Sequence, residues 1–270
     1  MSAPKHTTTV NTRVSHGDQS GRGYGASDLH DVDQPTPVWP SRTSVSGRRY
    51  GGPPHLKLED DVVRRMADEA FRAEQESGRY APHVRAINEM VDELRDHDGR
   101  GWMPHVAPWH GGVEARVLSI LRDPGPKTQD GSGSGFLCVE NDDATAERQC
   151  TGFAEAGIDA RDTTPWNAYP WYINRAPNAE ERKAGVTVLA RLLGLLPRLE
   201  VVLLQGVDAQ DSWRRLEKTH PQLAREARYE VVNTYHPGRQ ALWSPDPAIR
   251  AAREQQRHDS YQQVAQALQR

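Results

Sequence analysis

The residues best equipped for chemistry are Asp123 in LRDPGP, Asn167 in TPWNAYPW and His236 in TYHPGRQAL, with Phe136 closing the glycine-rich loop after Asp123. A carboxylate and an imidazole handle protons and developing charge, and an amide offers a donor and an acceptor on one rigid group. Each has an ordinary alternative when taken alone. Asp-Pro is a common turn, an Asn beside a Trp can satisfy a turn, and His-Pro-Gly is mostly loop. GSGSG (131–135) is either a flexible connection or a phosphate nest, and it lacks the spacing of a P-loop.

Position is what unites them. ARVLSIL (115–121), EVVLLQG (200–206) and YEVVNTY (229–235) read as strands, the first two almost continuously apolar, and IDARDTTPW (158–166) ends in a short strand that comes second in chain order. Helical patterns at 142–157, 179–196 and 208–218 separate them, and a polar helix closes the chain at 247–269. Strands alternating with helices predict an α/β fold: a three-layer α/β/α sandwich with about four parallel strands. Ligands of such sheets bind beyond the carboxyl ends of the strands. Asp123 follows the first strand, Trp166 and Asn167 the second, Gln205 and Gly206 end the third, and His236 follows the fourth.

Upstream, Leu58, Val62, Val63, Met66 and Ala70 predict one helix, and Val84, Ile87, Val91 and Leu94 another, opened near Pro82 and ended by Gly99 and Gly101; together they cover 58–98. These have no catalytic signal and read as packing elements. Residues 1–54 are rich in Ser, Thr, Gly, Pro and His and read as a disordered tail, either solvated or touching an anionic partner through its arginines. The predicted domain is therefore 55–270, with its motif-bearing core at 110–245.

The chain has 270 residues, net charge −3 and 36% hydrophobic content, with mean hydropathy −0.79 and pI about 6.4. A nucleic-acid role needs a local basic face, because bulk charge does not supply one. No apolar run reaches the roughly 18 residues of a membrane span, and MSAPKHTTTV lacks an export pattern. Two cysteines without a Cys-x-x-Cys pair cannot hold an iron–sulfur cluster. The expectation is a cytoplasmic monomer with no metal and no cofactor.

Taken in order at strand ends, these segments resemble the uracil-DNA glycosylase superfamily over residues 80–245. LRDPGP resembles its first motif, and Phe136 lies thirteen residues after Asp123, as does the base-stacking phenylalanine of the best-known branch. TPWNAYPW matches the segment with the base-reading Asn, VVLLQG the buried third strand, and TYHPGRQAL the final histidine motif. GGVEARVLSILRDPGP, GSGFLCVENDDATAE and TPWNAYPWYI are similar to a bacterial uracil-DNA glycosylase-like group without cluster cysteines. There are departures. Gly125 stands where the best-known branch has a thymine-excluding Tyr, Arg122 replaces Gln or Glu, and Gly238-Arg239-Gln240 replaces Ser-Pro-Leu.

The resemblance implies hydrolysis of the N-glycosidic bond of uracil or a related deaminated base in single- or double-stranded DNA, as in base excision repair. It implies catalytic roles for Asp123 and His236, and base binding by Phe136, Asn167 and Gly125. DNA contacts fall to Arg239, Gln240, Leu242 and Lys127, with Arg239 or Leu242 as wedge; Arg122 and Arg175 are further candidates for DNA grip, or part of a solvated charged face. The competing expectations are a catalytically weak nucleic-acid- or base-binding module of the same fold, and a nucleoside or nucleotide hydrolase.

Overall fold

The computed structural model describes residues 63–225 and 229–270. The tail expected over 1–54 and the start of the first expected helix lie outside the described residues. In chain order the elements are α1 (Glu69–Ser77), α2 (Pro82–Leu94), β1 (His105–Val106), β2 (Val117–Leu121), β3 (Phe136–Leu137), α3 (Ala144–Ala156) and β4 (Thr163–Asn167). They continue with α4 (Ala179–Leu193), β5 (Val201–Gln205), α5 (Val207–Thr219), α6 (Pro221–Arg225), β6 (Glu230–Thr234), α7 (Arg239–Leu242) and α8 (Pro247–Leu268).

The main sheet is four-stranded and parallel, in the order β4-β2-β5-β6. Alternate side chains on a strand face opposite ways, and both faces of this sheet are apolar. Leu118, Ile120, Val202 and Leu204 pack with α2, α4 and α5, whereas Val117, Val201, Leu203 and Val232 pack with Phe153 of α3 and Tyr261 and Val264 of α8. That double burial is why β2 and β5 read as continuous apolar runs. It gives an α/β fold compatible with three α/β/α layers. Among the described residues no helix is long and apolar enough to cross a membrane.

The helix ends follow local chemistry. Asp143 caps α3 by accepting from the Thr145 and Ala146 N–H groups at 2.8 and 3.0 Å. Asn178 and Glu181 form a reciprocal capping box on α4.

Two features differ from expectation. The described part of the first expected helix becomes helical only at Glu69, where Asp68 caps it at 2.8 Å from the Ala70 N–H. Before it runs a 3-10 turn, Arg65–Ala67, entered through Arg64 at φ 67°. The apolar spacing there reflects separate anchoring of Met66, which is buried with Phe71 and Phe136. The second difference is a small parallel sheet of β1 and β3, pairing His105 with Phe136 and Val106 with Leu137. Two-residue strands are too short to show any period.

Candidate active site

The parallel register brings the strand ends level. Leu121 pairs with Asn167, and Gln205 with Thr234. The ladder runs on past β2, where the Ala168 N–H donates to the Leu121 carbonyl at 2.8 Å and the Tyr169 N–H to the Arg122 carbonyl at 2.9 Å. A cleft of about 920 Å³ opens along this edge. Asp123, Gly125, Lys127, Asn167, His236, Arg239 and Gln240 all line it. At Gly125 an added Cβ meets nothing within 4 Å, so no bulky group crowds that wall.

His236 is held by the backbone that follows it. The Gly238 N–H donates to His236 Nδ1 at 2.9 Å, so in the neutral ring the proton sits on Nε2. Burial first, and then the Arg122 charge, lower the imidazole pKa to about 4 against weaker pulls from Asp143 and Asp208. At neutral pH the ring is an uncharged donor. Two glycines make room for it. Gly206 has φ 97° and lies where a Cβ would come 3.0 Å from the His236 Cβ, and a Cβ on Gly238 would come 2.8 Å from Nδ1.

The Asp123 side chain is 4% exposed and accepts from Arg122 Nε at 2.5 Å. Burial pushes its carboxyl above the usual range, outweighing the opposing pull of Arg122 and of a hydrogen bond from the Asn174 backbone. The neighbouring acids are otherwise engaged: Asp143 caps α3, and Asp208 pairs with Arg182 at 2.9 Å.

Asn167 is 2% exposed, and its Nδ2 has no hydrogen-bond partner among the described residues. Leaving such a donor unsatisfied costs about 1–3 kcal/mol. A ligand oxygen in the cleft would remove that cost. Trp166 Nε1, at the same strand end, is a second buried donor without a partner among the described residues. Behind them lies a polar floor. Gln149 Nε2 and Gln205 Nε2 each donate to Ser119 Oγ at 2.9 Å, and the Tyr261 hydroxyl donates to Gln205 Oε1 at 2.7 Å.

Other expected residues lie outside the cleft or are held in ion pairs. Phe136 is 1% exposed and packs with Met66, Phe71, Ala107 and Cys138, away from the cleft wall. The next three residues, Leu137, Cys138 and Val139, line the cleft instead. Leu242 is 4% exposed and lines an adjoining groove rather than the cleft. Lys127 pairs with Asp142 at 3.2 Å, and Arg175 is tied to Glu181. Three N–H groups of the GSGSG loop bond to the segment just before it: Ser132 donates to the Asp130 carbonyl, Gly133 to Gln129 and Ser134 to Lys127, at 2.8–2.9 Å. These bonds make it a compact turn.

Sequence reasoning missed the ion pair of Arg122 with Asp123, and it missed Gln149. The signal for Gln149 was present, since a polar residue sits on the α3 stripe formed by Ala146, Gly152 and Phe153. No group of three or more His, Cys, Asp or Glu among the described residues is arranged to hold a metal. No protein-family model matches the chain, and no curated protein matches it.

Proposed function

We propose that the chain is a DNA glycosylase of the uracil-DNA glycosylase type, with the fold of that superfamily, hydrolysing the N-glycosidic bond of uracil or a related deaminated base. The observation that best supports this reading is the buried Asn167 amide, whose Nδ2 has no partner among the described residues, in one cleft with Asp123 and a neutral His236.

A base must leave its stack before such a cleft can hold it. Asn167 Nδ2 donates to a carbonyl oxygen of the base. As the bond from C1′ to the base nitrogen breaks, the sugar becomes oxocarbenium-like and its electron pair leaves with the base. His236 Nε2–H donates to the oxygen on which that negative charge collects, as an oxyanion stabiliser does. Asp123 favours the cationic sugar and orients water toward C1′. The water oxygen bonds to C1′, one of its protons passes to the carboxylate, and the departed base takes up a proton. Phe136 has no part in this, because its ring lies in another cluster.

A second reading, a base-binding module of low turnover, draws on Arg122, which holds Asp123 in a close ion pair. The two readings separate on incubation with single- and double-stranded uracil-containing oligonucleotides followed by alkaline cleavage. A glycosylase gives strand breaks at uracil that disappear with Asn167→Ala. Binding without breaks supports the module.

A further inference from the structure

We propose that the groove beside the cleft is a track for a single nucleic-acid strand, with Trp243 as a stacking platform and Arg148 and Arg239 as phosphate contacts. What enters the cleft rests on the glycosylase reading; the track has its own test.

The groove encloses about 400 Å³ and is lined by Arg148, Arg239, Leu242, Trp243, Arg250 and Glu254. Arg148 and Arg239 also line the cleft, so the two spaces adjoin along a shared wall. Trp243 is 59% exposed. Its backbone is pinned: Arg253 Nη1 donates to the Trp243 carbonyl and Arg250 Nη1 to the Ser244 carbonyl, each at 2.6 Å. Leu242 beside it is buried as an anchor. The indole is therefore presented from a fixed loop, which reduces the ordering cost of using it.

The charge around it is positive. Among the described residues Arg148 and Arg239 carry no ion pair or hydrogen bond. Arg250 is held by carbonyls, which leave its charge uncompensated. The one acid of the groove, Glu254, is paired with Arg257 at 2.8 Å.

Such a surface selects a polyanion that also carries flat apolar faces. An acidic peptide satisfies the arginines but leaves the indole in water. A duplex satisfies the phosphate contacts but covers its base faces by stacking. An unpaired strand offers both phosphates and free base faces.

The test is fluorescence anisotropy of the full chain with a labelled oligothymidylate and with a duplex of equal length, neither containing uracil. The single strand is expected to bind more tightly. Trp243→Ala is expected to weaken it by roughly tenfold, as for one stacked base, and Trp243→Phe to retain most of the affinity. Arg148→Gln with Arg239→Gln is expected to flatten the salt dependence. Wild-type affinity in Trp243→Ala overturns the proposal, as does a loss confined to the duplex, which would make the ring a duplex wedge. Equal competition by polyglutamate also overturns it. Because the probes carry no uracil, absence of base release leaves this result standing, and unchanged anisotropy leaves the cleft reading standing.

Discussion

At the scale of the residue, His236 is the group most tightly defined by its neighbours. Its Nδ1 is occupied by the Gly238 N–H, and burial keeps the ring neutral down to about pH 4. Protonation would break the Gly238 bond and set a cation near Arg122. Base release should therefore show no fall near the ordinary histidine pKa. It should decline only on acidification toward the His236 value of about 4 and the raised Asp123 carboxyl. A single-turnover pH profile checks this, and a midpoint near 6.5 would contradict it. Asp123→Asn should lower turnover on the order of 100-fold while leaving oligonucleotide affinity within a few-fold. If the rate stays at wild-type level, Asp123 does not act on the sugar.

At the scale of the element, the strand ends were legible and the loops between them were not. Val117–Leu121 and Val201–Gln205 are apolar throughout because the sheet buries both faces. The rule of carboxyl-end binding puts Asp123, Asn167 and His236 at one edge of the sheet, and all three line one cleft. Phe136 lies outside that cleft, in the cluster with Met66 and Phe71; its expected role came from its distance along the chain from Asp123. Its direction is set by pairing with His105, which a two-residue strand does not announce. The resemblance makes Leu242 a wedge candidate, but α7 turns it inward and leaves Trp243 outside. Gly206 joins β5 to α5 at φ 97°, directly against His236. Gly206→Ala should lower stability by about 1–3 kcal/mol and lower turnover more than that loss explains, because the new Cβ pushes on His236. Thermal unfolding alongside single-turnover rates checks this. An unchanged rate would show that the contact does not position the ring.

At the scale of the whole molecule, the fold carries imidazoles that it keeps neutral. His110 is buried between Thr163 Oγ1 and the Val139 N–H, and burial lowers its pKa from 6.5 to about 4, as it does that of His236. Between those values the unfolded chain binds more protons than the folded one. Stability therefore rises with pH across this window and falls as the solution is acidified from about 6.5 toward 4. For His110 alone the loss is on the order of 3 kcal/mol. Denaturant titrations at several pH values should show the midpoint dropping through this range, and His110→Gln should blunt the drop if the variant folds.

The central claim is that Asp123, Asn167 and His236 form one site that breaks a bond between sugar and base. The most direct measurement is chromatographic detection of free uracil released from uracil-containing DNA in a single turnover, by the wild type and by Asn167→Ala and His236→Ala. Both variants must first be shown to be folded by circular dichroism. The account predicts stoichiometric free uracil from the wild type and at least about a hundredfold slower release from each variant. No free uracil from a folded wild type, or equal release from all three proteins, would contradict it.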